Sequence, residues 1–461
     1  MLRIFGHFVP ATTAALGFAE AVVITVGLCF GVALLNATDP GGITFPLFVA
    51  FAILALMHSS GFYQADALVD FRRTLRRGAL ILTLILVLAL ATSTDIGVHH
   101  VRNPWLLIAL LPTVWLASIV LTRTIFSRIS RSGALLRRVL ILGDGPRSHK
   151  LHELSKERFG AYFLPVAQVS LRENGRADCD GAVQVKERVD ATEDLLLLAR
   201  KVNASEIVVA SEDRRGLPLH SLVQCRLAGI TVSDYLDFYE RESSRVDISA
   251  VTPSWFIFSD GFRTGPLAEA VKRAFDISLS LLTLIVALPI MAFTAIAIAC
   301  DSKGPILYRQ ERVGLRGRSF VLFKFRSMRI DAERDGAPRW ALEGDPRITR
   351  VGWVTRKLRI DELPQLYNVL RGDMSFVGPR PERPYFVTRL AQSIPYYQER
   401  HTVKPGITGW AQVNYPYGAS LEDAKQKLSY DLFYLKNRGL FLDLIILIRT
   451  VRVVLWPEGA R

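Results

Sequence analysis

Four apolar stretches in the N-terminal quarter of the chain constrain its fold more than any other feature. They cover about residues 12–36, 43–62, 78–93 and 104–126. Each is close to the roughly 20 residues that a helix needs to cross the hydrocarbon core of a bilayer. The first stretch is too long for the core of a signal peptide, and three more follow it. The sequence therefore predicts a four-helix transmembrane bundle over residues 1–130, with no buried charge of the kind that marks a transport pathway.

Arginines indicate how this bundle is oriented. The loop after the first stretch holds neither lysine nor arginine. The loop after the second stretch and the segment after the fourth are rich in arginine: Arg72, Arg73, Arg76 and Arg77, and then Arg123, Arg128, Arg131, Arg137 and Arg138. Basic loops remain in the cytoplasm. We therefore expect both ends of the bundle, and everything beyond about residue 130, on the cytoplasmic side.

The composition and charge fit a membrane segment joined to a soluble part. Hydrophobic residues make up 50% of the chain and charged residues 22%, a mixture that is unusual for a purely soluble enzyme. The net charge of +14 predicts anionic partners. No nucleic-acid motif occurs, so we assign the excess charge to the membrane and to phosphates. The four cysteines form no C-x-x-C pair, so neither a disulfide framework nor a zinc site is indicated.

The middle third alternates between apolar strands and helical patterns, which predicts a Rossmann-like α/β domain with a doubly wound parallel sheet over residues 134–240. An apolar strand ending at Leu142 runs through Gly143 and Gly145 into a helical pattern, as a nucleotide-binding turn does. However, the third glycine position is Ser148, and no acidic residue clearly follows a second strand to hold a ribose. Gly143 and Gly145 are therefore candidates for an incomplete nucleotide turn, and nucleotide binding stays open.

Residues 275–300 form a further apolar stretch, which is preceded by a mixed segment, 241–266, that predicts a linker. Pro289 lies in the middle of the stretch, where the missing backbone donor kinks a helix. Basic residues flank it on both sides: Lys272, Arg273, Lys303, Arg309, Arg312, Arg316 and Arg318. Both flanks therefore have the charge of a cytoplasmic segment. We predict a re-entrant hairpin that enters the inner leaflet and bends at Pro289, with a fifth spanning helix as the alternative.

The adjacent carboxylates Asp361 and Glu362 are the candidate catalytic residues. Pro364 is tolerated only in the first turn of a helix, so Asp361 is expected near a helix start. That position favours an ionised carboxylate and binds phosphate, as a carboxylate nucleophile attacking phosphorus requires. Glu362, pointing elsewhere, is predicted to be the ligand of a Mg²⁺ ion that lies on a diphosphate. A solvated acidic pair at the start of a helix is the alternative.

Basic residues near this pair make the solvated alternative less favourable. Lys324, Arg326, Arg356 and Arg380 are predicted to bind substrate phosphates, because cations offset the charge of a diphosphate brought close to a carboxylate. Glycines and prolines that fix tight turns lie among them: Gly372, Gly378, Pro379 and Pro381. Together they indicate a phosphate site in the last third of the chain.

Five sequence blocks resemble a known family. In chain order they are RQERVG, FKFRSM, DELPQLYNVLRGDMSFVGPRP, KPGITGWAQV and YDLFYLKN. The region from about residue 267 to 458 resembles the bacterial sugar transferases, which are the monotopic polyprenyl-phosphate phosphoglycosyl transferases. Large members of that family also carry four preceding helices and a Rossmann-like domain. The resemblance therefore extends loosely over the whole chain and implies a monotopic α/β catalytic domain with a re-entrant membrane helix over residues 267–461.

This resemblance implies a reaction. It is the transfer of a sugar 1-phosphate from a UDP-sugar to undecaprenyl phosphate at the bacterial inner membrane, with release of UMP, through a covalent phosphosugar-aspartate. Asp361 matches the family's nucleophile and Glu362 its Mg²⁺ ligand. The remaining matched positions are tied to substrate phosphates or to the active-site frame: Lys324, Arg356, Arg380 and Asp431.

The resemblance also suggests a branch of the family, but not the sugar. VNYPYGASLEDA and PERP are similar to the branch found with exopolysaccharide and PEP-CTERM export systems. Arg359 and Ile360 depart from common forms, so the donor sugar stays open. A membrane-anchored nucleotide-binding regulator or scaffold of polysaccharide assembly is an alternative function, and a sugar-nucleotide epimerase or dehydratase is another. The oligomeric state is also open, with a homo-oligomer allowed.

Overall fold

The computed structural model has mixed helix and sheet content, as the sequence predicts. It describes residues 2–4, 7–9, 11–34, 44–59, 62, 78, 81–87, 105–131, 136–157, 163–170, 188–190, 194–262, 265–330, 345–416, 418 and 420–455. The contacts among these residues divide the chain into two compact units, Met1–Ser243 and Ser244–Arg461.

The first unit begins with apolar helices. A short antiparallel pair, β1 (Leu2–Ile4) and β2 (His7–Val9), precedes α1 (Ala11–Leu34), α2 (Thr44–Ser59) and α3 (Trp105–Arg131). Among the described residues, α1 and α3 are long and apolar enough to cross a membrane, whereas α2 is shorter. The third predicted helix, residues 78–93, lies partly outside the described residues, of which 81–87 are helical.

A buried ion pair joins two of these helices. Glu20 of α1 is 0% exposed, and its Oε1 lies 3.1 Å from Nε of Arg123 in α3. The Thr122 hydroxyl also donates to Glu20 at 3.3 Å. The expectation that this bundle lacks a buried charge is therefore wrong. Pairing with Arg123 explains how the carboxylate is accommodated, because charges inside apolar helix bundles pair with one another.

A parallel sheet follows in the same unit. Its strands are β3 (Arg137–Leu142), β4 (Phe163–Ser170), β5 (Arg188–Asp190), β6 (Glu206–Val209) and β7 (Thr231–Asp234). Among the described residues the strand order is β5-β4-β3-β6-β7, and every pairing is parallel. The helices are α4 (Pro146–Glu157), α5 (Leu195–Lys201), α6 (Leu219–Leu227) and α7 (Tyr235–Ser243). An order that runs outward in both directions from the first strand is that of a doubly wound sheet.

The glycine turn after β3 requires glycine at its first position only. Gly143 has φ 128°, and a Cβ there would lie 2.9 Å from the Ser211 amide nitrogen. Gly145 has an ordinary φ, and a Cβ there would meet only the Glu212 side chain, at 4.0 Å. The Gly143 amide donates to Val169 O at 2.9 Å. Close packing between strands therefore explains Gly143 without a nucleotide.

The second unit contains a long helix, a hairpin and several short elements around them. It begins with a 3-10 turn (Ile248–Ala250), α8 (Pro253–Phe258) and α9 (Pro266–Asp301), followed by the antiparallel strands β8 (Leu307–Val313) and β9 (Ser319–Phe325). Next come α10 (Arg350–Lys357), a 3-10 turn (Ile360–Glu362), α11 (Gln365–Arg371), β10 (Ser375–Val377) and α12 (Pro384–Ser393). The chain continues through a 3-10 segment (Tyr397–Thr402), β11 (Gly406–Thr408), α13 (Trp410–Asn414), α14 (Leu421–Asn437) and α15 (Leu440–Leu455).

Most of the segment predicted as a linker, 241–266, is folded into the second unit. The Val246 amide donates to Ser429 O at 3.0 Å, and the buried Trp255 lies beneath the ammonium of Lys436, 5.2 Å from its ring centre. The linker prediction is therefore wrong for residues 244–262. Its apolar side chains are too scattered to show helical periodicity, yet Val246, Ile248 and Trp255 are buried.

The helix α9 runs from Pro266 to Asp301 and contains Pro289. A helix can kink at a proline without ending there, so the re-entrant hairpin over residues 275–300, with its bend at Pro289, stays a prediction. Pro289 lies on the exposed side of the helix.

Buried residues mark one face of α9. They recur at helical spacing: Asp276, Ser280, Ala287, Thr294 and Ile298. The opposite face exposes apolar side chains: Leu282, Ile285, Val286, Leu288, Phe293 and Ile296. The helix therefore has one buried face and one exposed apolar face.

Both ends of α9 contact the same unit. Near the N-terminal end, Asp276 accepts hydrogen bonds from the Ser375 hydroxyl at 2.8 Å and the Phe376 amide at 3.2 Å. At the C-terminal end, Asp301 accepts a hydrogen bond from the Val351 amide at 3.3 Å. The basic flanks thus belong to one folded body.

Two glycine-containing turns of the sequence meet where β10 pairs with β11 in parallel. A Cβ at Gly406 would lie 2.1 Å from the Gly378 amide nitrogen, closer than any side chain allows. The Gly378 amide donates to Thr408 O at 2.9 Å. This close approach of two backbones fixes Pro379 and Arg380, which follow Gly378 directly, beside the acidic pair.

Candidate active site

The acidic pair lies in one tight turn between α10 and α11. Ile360–Glu362 forms the 3-10 turn, and α11 begins at Gln365, directly after Pro364. Arg359 has a left-handed backbone, with φ 57°, which is uncommon for a residue other than glycine. The Glu362 amide donates to Arg359 O at 3.2 Å. The turn therefore fixes both carboxylates relative to α10.

Three basic side chains among the described residues converge on one oxygen of Glu362. Lys324 Nζ donates to Oε1 at 3.1 Å and Arg380 Nη2 at 2.9 Å, while Arg359 Nη1 lies 3.7 Å away. Burial alone would raise the pKa of Glu362, but Arg380, Lys324 and Arg359 together hold it well below its ordinary value. Glu362 is therefore ionised.

Asp361 differs from its neighbour in charge and in contacts. Burial, followed by the charge of Glu362, raises the pKa of Asp361 above its ordinary value. Burial therefore opposes the effect that a helix start was expected to have on Asp361, and α11 itself begins only at Gln365. Within the described part of the chain, Asp361 Oδ1 is buried without a hydrogen-bond partner. Such an atom is costly to bury, and a ligand that supplies a partner removes that cost.

The two carboxylates fit a Mg²⁺ ion that is shared with a substrate. Mg²⁺ usually takes one or two carboxylates together with phosphate oxygens and water. The described residues contain no cluster of three or more His, Cys, Asp or Glu that could hold a metal by themselves. Among the described residues Asp361 Oδ1 lacks a partner, and Lys324, Arg380 and Arg359 all approach the Glu362 carboxylate at Oε1. The donor set therefore suits a metal bound with a diphosphate.

A cavity of about 370 Å³ borders this turn, within the range of about 300–1,000 Å³ that is typical of small-molecule sites. Its wall includes Glu362 and several basic side chains: Arg359, Arg380, Arg400 and Lys427. Tyr397 and Tyr415 also line it. A concave site with several cations and aromatic rings suits an anionic ligand that contains rings.

Asp431 lines the cavity but holds an arginine. Arg400 donates to Asp431 Oδ2 through Nε at 3.0 Å and through Nη2 at 2.8 Å, and both side chains are buried. Arg400 Nη2 also donates to Arg380 O at 3.0 Å. Asp431 is therefore not placed as a phosphate ligand. Its carboxylate is paired with Arg400, and its negative charge would repel a phosphate. It belongs to the frame that positions the cations.

Sequence reasoning missed Arg400. It lies in the segment YYQERHT, which shows no motif, and only folding brings it to Asp431, 31 residues further along. Its proximity in sequence to the KPGITGWAQV block was the one available signal.

The remaining predicted phosphate ligands divide into two groups. Arg356, in the last turn of α10, is close enough for its charge to lower the pKa of Asp361 against the effect of burial. Arg326 is elsewhere: its guanidinium donates to Pro305 O at 2.7 Å and to Ser302 O at 2.6 Å. Arg326 therefore anchors the end of α9 instead of facing the cavity. Because Arg326 follows Lys324 by two residues in FKFRSM, the sequence predicted the same phosphate-binding role for both.

The remaining sequence candidates are Pro289 and the two glycines of the incomplete nucleotide turn. Pro289 is not among the residues that line the cavity. Gly143 and Gly145 belong to the first unit. The described structure thus brings together Lys324, Arg380, Asp361 and Glu362, with Arg356 nearby.

Known proteins resemble a large part of this chain. The bacterial sugar transferase family model matches residues 267–457. An N-acetylgalactosaminephosphotransferase that acts with undecaprenyl phosphate, from Aeromonas hydrophila, is 42% identical over 240 residues, which is 52% of this chain and 56% of that protein. An undecaprenyl-phosphate glucose phosphotransferase from Komagataeibacter xylinus is 33% identical over 338 residues, 71% of this chain and 60% of that protein.

A third relative is matched over more of its own length. A UDP-glucose:undecaprenyl-phosphate glucose-1-phosphate transferase from Caulobacter vibrioides is 39% identical over 202 residues, 42% of this chain and 75% of that protein. The chain spans between half and three fifths of the length of the first two relatives. The fold and the site thus define a class of protein: a membrane-attached chain with an acidic pair that is surrounded by cations. The chain belongs to the bacterial sugar transferase family.

Proposed function

We propose that this chain transfers a sugar 1-phosphate from a UDP-sugar to undecaprenyl phosphate and releases UMP. The observation that carries the proposal is the buried Asp361, with one oxygen unpartnered, beside the ionised Glu362 and its basic neighbours. The names of the relatives support the acceptor and the type of reaction. The sugar itself stays open, since those names include both glucose and N-acetylgalactosamine.

The first half-reaction uses Asp361 as nucleophile. A carboxylate oxygen attacks the phosphorus that carries the sugar, the bond from that phosphorus to the bridging oxygen of UMP breaks, and UMP leaves with the electron pair. Asp361 requires its ionised form for this attack. Burial and the charge of Glu362 raise its pKa, and nearby cations, with Lys324 the strongest, oppose that effect. We therefore infer that Lys324 contributes most to keeping the attacking carboxylate ionised.

The second half-reaction regenerates the enzyme. An oxygen of undecaprenyl phosphate attacks the same phosphorus, the bond to Asp361 breaks, and the carboxylate leaves with its electron pair. The product is a sugar joined to the lipid through a diphosphate, so no oxidant or reductant is needed. Such a product would begin the synthesis of a surface glycan, and we propose an exopolysaccharide on the resemblance of the VNYPYGASLEDA segment.

Mg²⁺ is the cofactor that we propose for this site. Glu362 would hold it, together with the diphosphate of the donor, and the ion would neutralise negative charge that develops on the departing UMP. Arg380 and Lys324 orient Glu362 for this role through their hydrogen bonds to Oε1.

We propose that the first unit anchors the enzyme in the inner membrane with four helices and also carries a Rossmann-like domain. We further propose that this domain and the second unit lie in the cytoplasm. The support is the pair of membrane-length helices among the described residues, the parallel strand order, and the arginine-rich loops. We assign no nucleotide to the Rossmann-like domain, since packing explains Gly143.

A further proposal is that both flanks of α9 lie on the cytoplasmic face. Asp276 and Asp301 lie 25 residues apart, or about 38 Å in a straight helix, and both contact the same charged unit. A spanning helix would place that unit on both sides of the hydrocarbon core, which charged residues disfavour. The helix is therefore partly inserted, with its exposed apolar face in the lipid.

Cysteine accessibility tests this arrangement. Ala270→Cys and Lys303→Cys, each in a chain whose own four cysteines are replaced, should both react with an impermeant thiol reagent only from the cytoplasmic side. Ala270 is preferred to Lys272, because Lys272 pairs with Asp443 at 2.9 Å. Reaction of the Lys303 position from the opposite side would contradict the proposal and favour a spanning helix.

The central experiment measures UMP release without the lipid. Purified protein with Mg²⁺ and a panel of UDP-sugars should release up to one UMP per active site, because the first half-reaction needs no acceptor. The peptide that contains Asp361 should gain the mass of a sugar phosphate. Addition of undecaprenyl phosphate should then convert the single release into continuous turnover. UMP release that strictly required the lipid, with no adduct, would replace this mechanism by direct attack of the lipid.

A further inference from the structure

An apolar cleft runs beside the candidate active site, along the side of α9. Its α9 wall is formed by Leu282, Val286 and Ile290, and its other wall by Leu358 and Leu363 from the region of the acidic turn. Neither wall contributes an acidic side chain among the described lining residues. The cleft is therefore suited to a hydrocarbon chain and not to a nucleotide.

Arg359 lies at the junction of this cleft and the active-site cavity. It lines both, together with Thr283, Leu358 and Leu363. Among the described residues that line the cleft, Arg359 is the one with a charged side chain. An anion held there would face the acidic turn on one side and apolar side chains on the other.

The guanidinium of Arg359 is the least committed of the three cations near Glu362. Its Nη1 lies 3.7 Å from Glu362 Oε1, beyond hydrogen-bond distance, whereas Lys324 and Arg380 donate to that oxygen at 3.1 and 2.9 Å. Its side chain is 37% exposed. The backbone, in contrast, is fixed by hydrogen bonds on both sides: the Arg359 amide donates to Arg356 O and the Glu362 amide to Arg359 O, each at 3.2 Å. The residue thus combines a fixed position with a side chain that can bind another anion.

The chemistry of this junction specifies an amphiphile with a phosphate head and an apolar chain. An arginine fork binds phosphate through paired, charge-assisted hydrogen bonds. The cleft continues onto the exposed apolar face of α9, where Ile285, Phe293 and Ile296 are open. A lipid could therefore enter from a bilayer along α9 and bring its phosphate to Arg359. A UDP-sugar has no long apolar part that could fill the cleft.

We propose that Arg359 binds the phosphate of the polyprenyl acceptor and that the cleft between α9 and the acidic turn holds the first units of its chain. This inference rests on the proposed function and adds a separate acceptor subsite to it. Arg359 then acts on the second half-reaction, by holding the attacking phosphate beside the turn that carries Asp361. Donor binding uses the other basic residues of the cavity.

The first test separates the two half-reactions. Arg359→Gln should raise the KM for undecaprenyl phosphate at least about tenfold, as expected for the loss of a charge-assisted hydrogen bond. The single release of UMP without lipid should fall by a smaller factor, because Lys324 and Arg380 still hold Glu362 through their hydrogen bonds. Arg359→Lys should restore part of the KM, and Arg316→Gln, at the exposed turn between β8 and β9, serves as the charge-matched control. An unchanged KM in Arg359→Gln would contradict the proposal.

The second test concerns the cleft. Val286→Asn places a polar group in the cleft, and Ile296→Asn places the same group on the open face of α9. The two positions are comparably exposed, at 68% and 64%, so any general effect on membrane insertion should be similar. Only Val286→Asn should raise the KM for the lipid. Equal effects of both substitutions would remove the cleft from the proposal.

A binding measurement keeps the inference independent of turnover. Native mass spectrometry of the full chain in lipid nanodiscs should show retention of undecaprenyl phosphate over undecaprenol in the wild type, and loss of that preference in Arg359→Gln. Millimolar inorganic phosphate should not displace the lipid, since it cannot occupy the cleft. If no UDP-sugar yields UMP with wild-type protein, the proposed function fails while this comparison still decides the role of Arg359. Equal retention by wild type and variant would overturn the inference even if UMP release is normal.

Discussion

Asp361→Asn is expected to abolish both half-reactions, lowering turnover by roughly 10⁴-fold or more, as loss of a nucleophile does in enzymes with a covalent intermediate. The substitution keeps the shape of the side chain and removes the charge that attacks phosphorus. Because Asp361 is buried with an unpartnered oxygen, the amide should be tolerated structurally. The measurement is UMP release with and without lipid, with the adduct sought by mass spectrometry.

Glu362→Gln should fail in a different way. The nucleophile survives, but the carboxylate that three cations hold in its ionised form is lost. Residual turnover should therefore rise with added Mg²⁺, and the adduct on Asp361 should still form slowly. Asp260→Asn, at an exposed position of the same unit, is the matched control and should behave as wild type.

The two carboxylates are thus distinguished by the adduct and by the response to Mg²⁺. If Asp361→Asn kept a stoichiometric UMP release, Asp361 could not be the nucleophile. If instead Glu362→Gln lost all adduct at every Mg²⁺ concentration, the division of roles between the two residues would be wrong.

Asp431→Ala should destabilise the second unit by about 3–5 kcal/mol, the usual cost of leaving one partner of a buried ion pair without the other. Arg400 would keep its charge in a buried position after losing two hydrogen bonds, at 3.0 and 2.8 Å. Its link to Arg380 O would then lose its support. Thermal unfolding in detergent, followed beside UMP release, measures both consequences.

A double substitution tests whether the unpaired charge of Arg400 causes this loss of stability. Arg400→Met with Asp431→Leu removes both charges, so it should be more stable than Asp431→Ala, because no buried charge is left unpaired. Asp373→Ala breaks the more exposed pair with Arg371, at 3.2 Å, and should cost less than about 1 kcal/mol. If Asp431→Ala unfolded at the wild-type temperature, the Arg400–Asp431 pair would not be a structural element of the site.

Local patterns in the sequence were sufficient for several conclusions. The apolar stretches predicted membrane-length helices, and α1, α3 and α9 have the required length and composition among the described residues. The five motif blocks predicted the family, which the family model and the relatives confirm. Asp361 and Glu362 are adjacent, and Pro364 placed Asp361 near a helix start, which agrees with the helix that begins at Gln365. Each of these features depends on residues that are close together in the chain.

Tertiary structure alone decided which charges meet. Lys324 and Arg326 are two residues apart, yet the first reaches Glu362 and the second caps the end of α9. Arg400 and Asp431 are brought together only by folding.

The same holds for the segment before α9. Residues 244–262 looked like a linker because their apolar side chains lack periodicity, yet Val246, Ile248 and Trp255 are buried and the segment contacts α14. Composition and spacing report the preferences of a segment by itself. Ion pairs and the burial of an irregular segment depend on distant residues, so only the folded chain determines them.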